Sequence, residues 1–265
     1  MSKLAWNAAS VTDRGLVRKD NQDRCYVSPD QRLFVVADGM GGIKGGGEAS
    51  RLAVEAVELF WQDKPPELTD PANVQEWLQR AVEKANESVC AAADIINSHS
   101  RMGTTIVVAV QADENKVHIA HVGDSRAYLV KQGSIGALTK DHSIVYEMMQ
   151  QGRLTPQECL DSPLRSVLTR CLGHERDVVI DKTETELDPG DWIMLCSDGL
   201  CGFLTDDQIA PVMQECLSAE EACSKLLLRT IEVGAPDNVT IVAVQYRAEA
   251  SNCIDRAAET ALRNG

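Results

Sequence analysis

The segment Phe34–Gly47, FVVADGMGGIKGGG, places an apolar run directly before Asp38 and a glycine-rich run directly after it. The apolar residues are typical of a strand that is buried on both faces, so the Asp38 carboxylate is predicted at the rim of a sheet. Because glycine has no Cβ, Gly39, Gly41 and Gly42 allow a sharp turn that brings a carbonyl oxygen close to a cation or phosphate. Taken alone, the segment is more typical of a strand and a flexible turn than of a binding site.

Three further aspartates stand at the ends of apolar runs. KVHIAHVGD ends at Asp124, WIMLCSDGL carries Asp198, and PDNVTIVAVQY places Asp237 just before its run. In an antiparallel sheet, the start of one strand lies at the same edge as the end of its neighbour. A single aspartate in such a position commonly caps a turn. Four in matched settings, Asp38 included, indicate instead that the side chains converge on one edge.

Carboxylates that lie a few ångströms apart repel one another, and one of them takes a proton unless divalent cations neutralise the group. A ligand set made only of oxygen, without Cys or His, selects hard ions that keep several waters. The sequence therefore predicts a site for Mg²⁺ or Mn²⁺ rather than for zinc.

Composition narrows the class of partner. The chain has 265 residues with 44% hydrophobic content, enough for one large two-layer domain or two small ones. A net charge of -14 and a pI near 4.8 argue against nucleic acid or an anionic membrane as the partner. Nine cysteines, an odd number without a C-x-x-C pair, favour reduced thiols and a cytoplasmic protein. No export signal or membrane-spanning run is recognisable, so neither export nor an anchor is expected.

Hydrophobic periodicity divides the first third of the chain into strands and helices. Strands are predicted over Leu4–Thr12 and Leu33–Ala37. A helix is predicted over Glu48–Trp61, and a longer one begins at Asp70 with a proline at the next position. These two helices are expected to cover one face of a sheet.

After Gly103 the period changes to that of strands. TTIVVAV, KVHIAHVGD and RAYLVKQG are β-branched runs typical of an antiparallel meander. Lys140–Gly173 is irregular and is predicted to leave the sheet and overhang the site. Capping boxes are predicted at Thr155 with Glu158, at Thr205 with Gln208, and at Ser218 with Glu221.

Six motifs carry a resemblance to a known family. RKDNQD, VADGMGG, RMGTT, HVGDSR, CSDGL and PDNVT occur in this order between about Ala8 and Gln245. The chain thereby resembles the metal-dependent serine/threonine protein phosphatases of type 2C (the PPM family), especially the compact bacterial members. The resemblance implies an α+β fold, a four-layer α-β-β-α sandwich in which helix pairs flank two antiparallel sheets. It implies a catalytic domain over residues 1–247 with a flap at about 140–175. The tail over 248–265 lies outside the resemblance, and its weakly apolar helical face predicts that it docks on the body or frays, with binding to a partner as the alternative.

The resemblance also implies an activity, which is hydrolysis of phosphoserine and phosphothreonine in proteins. The nucleophile would be a water bridged by two Mg²⁺ or Mn²⁺ ions, because such a water loses its proton near neutral pH. The expected partners are phosphorylated proteins in signal transduction, and the expected oligomeric state is a monomer.

The roles of individual residues follow from the same resemblance. Asp38 would bridge two ions, with Gly39 offering its carbonyl to one of them. Asp198 and Asp237 would ligate the other ion. The remaining expected site residues are Asp23, which would hold a metal-bound water, Asp124, which would form a weaker third site with Asp198, and Arg18, which would clamp the phosphate. Outside its motif, Arg18 would be read as a solvated loop residue.

The sequence departs from the family pattern at the general acid. A histidine is expected near the DG motif, at the position of Met40 or of Ile43, and neither is histidine. Lys44 is too basic to be an efficient acid near neutral pH. His142 is the best remaining candidate, beside the alternatives that it is a structural histidine or that metal-bound water donates the proton.

The sequence also contains features of other functional classes. The C-x5-R spacing of Cys223–Arg229 matches cysteine-dependent phosphatases, but CSKLLLR has the pattern of a buried helix rather than of a phosphate-binding loop. The glycine-rich run lacks the order of a nucleotide-binding P-loop. A non-catalytic or weakly active phosphoprotein-binding relative stays open, because the general-acid histidine is missing.

Overall fold

The computed structural model describes residues 4–96, 102–132 and 134–248, so the predicted tail beyond Ala248 lies outside the described residues. The side chains of Ile43 and Lys44 are also outside them. The strands are β1 Leu4–Asp13, β2 Asp23–Val27, β3 Leu33–Met40, β4 Gly103–Thr104, β5 Ile106–Ala112, β6 Lys116–Val122, β7 Arg126–Lys131, β8 Ser134–Ala137, β9 Asp181–Glu186, β10 Trp192–Cys196 and β11 Val239–Ala248. The helices are α1 Gly42–Asp63, α2 Pro71–Ile96, α3 Ile144–Gln150, α4 Pro156–Asp161, α5 Asp198–Cys201, α6 Asp206–Glu215 and α7 Ala219–Glu232.

The strands form two antiparallel sheets. One has the order β1-β11-β10-β7-β8, and the other has the order β2-β3-β5-β6-β9, with the short β4 beside β3. Strands far apart in sequence are neighbours in the first sheet, where β1 pairs with β11 over its whole length. The predicted α+β fold with two antiparallel sheets is confirmed.

Alternating side chains of the strands build three layers of core. On β3, Phe34 and Val36 point into the space between the sheets, where they meet Ile193 and Val242 of the other sheet. The alternate residues of β3 face α1 and α2 in a second core. A third core lies between the first sheet and α6 and α7. Because both faces of β3 are covered, its sequence is a continuous apolar run.

The predicted meander is only partly present. β5 and β6 pair as expected, but β7 crosses to the other sheet and lies between β10 and β8. The crossing takes place at Gly123, whose φ is +107°. A Cβ at this position would lie 2.6 Å from the Thr105 side chain, so only glycine fits the turn. The polar turn after β6 therefore changes sheets rather than closing a hairpin.

Helix α1 begins at Gly42, six residues before its predicted start at Glu48. The part of the glycine-rich run from Gly42 to Gly47 therefore forms its first turns, because packing overrides the weak helix propensity of glycine. Helix α2 begins where predicted, with the Ala72 N–H donating to the Asp70 carboxylate at 3.0 Å. The capping boxes of α4 and α6 are present. At α7 the Ser218 hydroxyl caps the helix, but the Glu221 carboxylate accepts from the Leu217 N–H instead of completing the box.

The chain leaves both sheets between β8 and β9. This stretch contains the short helices α3 and α4, and it meets the six-stranded sheet again at Leu172, which pairs with Thr104. None of the helices in the described residues combines the length and apolar character needed to cross a membrane.

Candidate metal centre

Strand pairing brings the first two acidic residues together. Asp23 at the start of β2 lies opposite Asp38 in β3. The Asp38 backbone is fixed on both sides, since its N–H donates to the Thr105 hydroxyl at 2.9 Å and its carbonyl accepts from the Thr104 hydroxyl at 2.9 Å. These two hydrogen bonds fix the backbone of Asp38 at the end of β3 and leave its carboxylate free for other contacts.

Asp198 reaches the same edge through a close crossing of two chain segments. It follows β10 as the first residue of α5. A Cβ on the next residue, Gly199, would lie 1.8 Å from the Asn238 carbonyl oxygen. Only glycine permits this approach, which brings Asp198 next to the segment that carries Asp237.

Asp237 is paired with the predicted phosphate-binding arginine. The Arg18 Nη2 donates to Asp237 Oδ2 at 2.6 Å, and the side chains of Arg18 and Asp237 are 56% and 28% exposed. The charge of Arg18 also acts on Asp198 and Asp38, and the interaction with Asp237 is the main cause of its raised pKa. The loop arginine therefore lies at the rim of the acidic group with part of its guanidinium facing solvent.

Asn238 positions the loop that bears Arg18, a role that the sequence analysis missed. Its Oδ1 accepts from the Gln22 N–H at 2.8 Å. Its Nδ2 donates to the carbonyls of Arg14 at 2.9 Å and Asp20 at 3.0 Å. The signal was present, since the asparagine directly follows the aspartate in PDNVT, but its partners lie more than two hundred residues away.

The carboxylates raise one another's pKa values. Burial and the charges of Asp23 and Asp198 hold the pKa of Asp38 well above its usual range. Burial and the charge of Asp198 do the same for Asp124, and burial and the charge of Asp237 raise the pKa of Asp198. The structure thus gathers all five predicted aspartates into one electrostatically coupled group, which we call the acidic cleft.

Two oxygens of the acidic cleft are buried without a hydrogen-bond partner among the described residues, Oδ1 of Asp23 and Oδ1 of Asp198. Asp23 is fully buried, and its other oxygen accepts from the Ser197 hydroxyl at 2.7 Å. Burial raises the pKa of Asp23 to about 6. Unpartnered oxygens and repelling charges are both relieved by hard divalent cations, so the residues present fit Mg²⁺ or Mn²⁺.

The glycine after Asp38 is required by packing. A Cβ at Gly39 would lie 2.0 Å from the Gly46 carbonyl oxygen, and a Cβ at Gly46 would lie 2.5 Å from the Gly39 carbonyl oxygen. The first turns of α1 therefore pack in direct backbone contact with the end of β3. Part of the glycine-rich run serves this approach of helix to strand.

The acidic cleft is more open than a preformed cage for a single ion. Within the described ranges, the group of three metal-ligating side chains whose donor atoms lie within 4.8 Å of one another is His121, His142 and Asp181, outside the cleft. Mg²⁺ is commonly held by one or two carboxylates and several waters. The spacing of the aspartates is therefore compatible with ions that share few protein ligands each.

His142, the candidate general acid, does not belong to the acidic cleft. It is buried, its Nδ1 accepts from the Gly123 N–H at 3.1 Å, and its ring stacks on His121 with centroids 4.7 Å apart. Burial lowers the pKa of His142 to about 4, so the ring is neutral at pH 7. The contacts identify a structural histidine, and the general acid stays unassigned.

Cys223, the nucleophile that the C-x5-R spacing would provide, is buried within α7, as its pattern predicts. Burial raises the pKa of its thiol to about 12. A thiol of that kind in a helix interior does not serve as a phosphatase nucleophile.

Comparison with known proteins places these features in a family. A model of the family described as Protein phosphatase 2C matches residues 10–231. The serine/threonine phosphatase Stp of Listeria welshimeri is 32% identical over 237 residues, which is 88% of this chain and 93% of that protein. The serine/threonine protein phosphatase PstP of Mycobacterium tuberculosis is 36% identical over 240 residues, which is 90% of this chain and 45% of that protein.

Solved structures agree with the sequence comparison. The catalytic domain of PstP in complex with two manganese ions superposes with a TM-score of 0.81 at 33% identity, covering 92% of this chain and 100% of that one. A bacterial serine phosphatase superposes with a TM-score of 0.85 at 29% identity, covering 92% of this chain and 99% of that one.

Proposed function

The chain belongs to the protein phosphatase 2C family and is a metal-dependent serine/threonine protein phosphatase, and on that premise we propose that the acidic cleft is its two-metal centre. Asp38 would hold both ions, and the Gly39 carbonyl would contribute to one of them. Asp198 and Asp237 would hold the other ion. Asp23 would orient a bound water, and Asp124 with Asp198 would provide a weaker third site.

One observation supports this assignment above the others. The acidic cleft holds mutually repelling carboxylates, two of whose oxygens are buried without a partner among the described residues. The fold has positioned Asp38 with backbone hydrogen bonds instead of neutralising it with a lysine or arginine. Such an arrangement is costly in a metal-free protein and is stabilised by divalent cations.

When bound, the two ions supply an acidified water and offset the charge of the phosphoryl group. The chain's own residues position the phosphate group of the substrate. Arg18 donates one N–H to Asp237 and keeps further donors for the equatorial phosphate oxygens. Asn238 holds the loop that carries Arg18, so the phosphate clamp and the ligand Asp237 move as one unit.

The substrates are phosphorylated proteins. We propose that the enzyme works as a cytoplasmic monomer, without nucleic acid or membrane as partner, and that residues 140–175 form a flap beside the cleft. The net charge of -14 supports the absence of polyanionic partners. The free thiols of the described cysteines support a reducing compartment.

The direct test measures release of phosphate from a phosphoserine peptide as Mn²⁺ is added to metal-free protein. We expect turnover that requires Mn²⁺, is abolished by EDTA and is unaffected by a thiol alkylator. Asp38→Asn should remove turnover, whereas Asp113→Asn, at an exposed turn far from the cleft in the fold, should not. Turnover that persists in EDTA would contradict the proposal, and so would tight Mn²⁺ binding without any turnover.

The same assay, run with two leaving groups, tests whether the chain supplies a general acid. If the general acid is absent, the rate on phosphoserine should fall further below the rate on p-nitrophenyl phosphate than in a relative with the histidine, because nitrophenolate leaves without a proton. An equal ratio of rates in the two enzymes would show that another group supplies the proton.

A further inference from the structure

The loop that carries Arg18 also carries two exposed apolar side chains. Leu16 and Val17 directly precede Arg18 and are 62% and 68% exposed. Val233, at the end of α7, is 50% exposed and stands two residues before Ala235, whose carbonyl accepts from the Leu16 N–H at 2.8 Å. We call Leu16, Val17 and Val233 the apolar patch. It lies beside the ion pair of Arg18, at the rim of the acidic cleft.

The backbone under the apolar patch is anchored to the rest of the fold. Gly15 is buried with φ +73°, and a Cβ there would lie 2.1 Å from the Asp237 carbonyl oxygen, so the loop is in direct contact with the segment before β11. The Gly15 N–H donates to the Asp13 carboxylate at 2.7 Å, and Arg14 Nη1 donates to the Lys19 carbonyl at 3.4 Å. The two apolar side chains of the loop are therefore presented by a fixed backbone, as binding residues on a rigid scaffold commonly are.

The turn that holds Leu16 has an unusual conformation. Ala235 has a φ of +30°, a positive value that residues other than glycine rarely adopt, and it is fully buried. The Ala235 N–H donates to the Thr230 carbonyl at 3.0 Å, and its carbonyl holds the Leu16 N–H. Strained backbone of this kind clusters at functional sites, where the surrounding structure maintains it. The strain points to a role for the segment that it positions.

Exposed apolar residues that are scattered singly are ordinary and need no function. Leu59, 64% exposed on α1, is an example. The apolar patch differs in its position, because the Cα atoms of Val17 and Leu16 lie within about 4 and 8 Å of the Arg18 Cα. An extended peptide advances about 3.3 Å per residue, so residues within three positions of a bound phosphoserine lie within about 10 Å of it. The patch is therefore in reach of the residues that flank the phosphate.

We propose that the apolar patch binds an apolar side chain of the phosphoprotein substrate, within three residues of the phosphorylated serine or threonine. The inference rests on the proposed function, in which Arg18 clamps the phosphate. The occupant is the substrate because the patch is continuous with the surface that the phosphate itself reaches. Partial burial of a leucine side chain against the patch strengthens binding about 10-fold.

A set of phosphothreonine peptides tests the preference. Each peptide carries one leucine at one of the three positions before or after the phosphothreonine, in an otherwise glycine and serine sequence, and the parent peptide has serine at all six. In Mn²⁺ we expect leucine to raise kcat/KM about 10-fold at one or more of these positions. Aspartate at the same positions is the control for attraction by the exposed Arg14 and Lys19, and it should give no such gain.

Matched variants test whether the apolar patch is the cause. Val17→Thr keeps the shape of the side chain and replaces a methyl group by a hydroxyl, whereas Val17→Ile keeps the apolar surface. Leu16→Ser removes the larger side chain. Leu59→Ser is the control for loss of an exposed leucine, because Leu59 lies about 25 Å along α1 from the helix start at the cleft.

The readout is the ratio of kcat/KM between the leucine peptide and the parent peptide. We expect Val17→Thr and Leu16→Ser each to lower this ratio to about 3-fold, and the double variant to bring it to about 1. Val17→Ile and Leu59→Ser should keep the wild-type ratio.

Equal kcat/KM for the leucine and parent peptides in the wild type would overturn the inference and leave the two-metal centre intact. A preference for leucine that survives in the double variant, or a stronger preference for aspartate, would overturn it too. So would an equal loss on p-nitrophenyl phosphate, because the substitutions would then have displaced Arg18. A wild-type dimer in sedimentation that the double variant lacks, with its peptide preference unchanged, would make the patch a contact between copies. Absence of Mn²⁺-dependent hydrolysis of every peptide would refute the proposed function itself.

Discussion

The acidic cleft and the cluster of His121, His142 and Asp181 are both buried polar groups at neighbouring places in the fold, yet they are built in opposite ways. In the histidine cluster, Nε2 of His121 and Nδ1 of His142 each bond a backbone group, and Asp181 is neutralised by Arg170. In the acidic cleft, like charges face one another and two carboxylate oxygens lack partners among the described residues.

The difference separates scaffold from binding site. A buried polar group stabilises a fold only when its hydrogen bonds and charge are satisfied by the chain. Although Nδ1 of His121 and Nε2 of His142 are buried without a hydrogen-bond partner among the described residues, the histidine cluster meets the charge condition, because Asp181 is paired with Arg170. The acidic cleft does not, and it therefore indicates where an external cation completes the protein. Each of the following predictions tests whether the two regions differ in this way.

The largest effect is expected from Asp38→Asn. Loss of the bridging carboxylate should lower kcat/KM by at least roughly 10³-fold, about 4 kcal/mol of transition-state stabilisation. In EDTA the same variant should be more stable than the wild type, because one repelling charge is gone. Thermal unfolding in EDTA beside the Mn²⁺-dependent assay measures both. If the variant were less active and also less stable without metal, Asp38 would be a structural residue rather than a metal ligand.

Removing the metal should make stability depend on pH. Burial raises the pKa of Asp23 from an ordinary 3.8 to about 6 in the folded protein. A raised folded-state pKa stabilises the fold below the unfolded-state value, and this contribution is lost as the pH rises through about 6. The loss is on the order of 3 kcal/mol for a shift of this size. Mn²⁺ should therefore raise Tm more at pH 7.5 than at pH 5.

Asp23→Asn is the matched control for that measurement. Its unfolding temperature in EDTA should change less between pH 5 and pH 7.5 than that of the wild type, because the titrating group is absent. Equal pH dependence in the two proteins would show that Asp23 is not strained by its burial.

The comparison also explains what the sequence revealed and what it did not. The aspartates were recognisable because each stands where an apolar strand begins or ends, and a sheet edge gathers such positions. Asn238 and Ser197 were not, because their partners are set by tertiary contacts across the chain.

Element boundaries show the same division between local and tertiary information. Strand β3 was predicted from its own residues, since burial on both faces leaves a continuous apolar run. The departure of β7 to the other sheet was not, because strand periodicity does not specify a partner. The early start of α1 was hidden by its glycines, whose weak helix propensity is overcome by contact with Gly39.

Arg18→Ala should have an intermediate effect. A charge-assisted contact to the phosphate contributes about 1.5–3 kcal/mol, so KM for a phosphopeptide should rise roughly 10–100-fold. Asp237 also loses its ion pair, and a modest fall in kcat is expected with it. Steady-state kinetics with Arg18→Lys as control measure both effects, since lysine keeps the charge but not the fork. Unchanged kinetics in Arg18→Ala would refute the clamp.

The smallest effect is expected from His121→Phe, in the region that we regard as scaffold. Phenylalanine keeps the stacking on His142 and removes the buried Nδ1 that lacks a partner among the described residues. It also removes the hydrogen bond to the Lys140 carbonyl, and the net loss of stability should be about 1 kcal/mol. Turnover at saturating Mn²⁺ should stay within about 2-fold of wild type, a change of less than 0.5 kcal/mol in the barrier. A loss of activity comparable to that of Asp38→Asn would place the histidine cluster in the catalytic machinery.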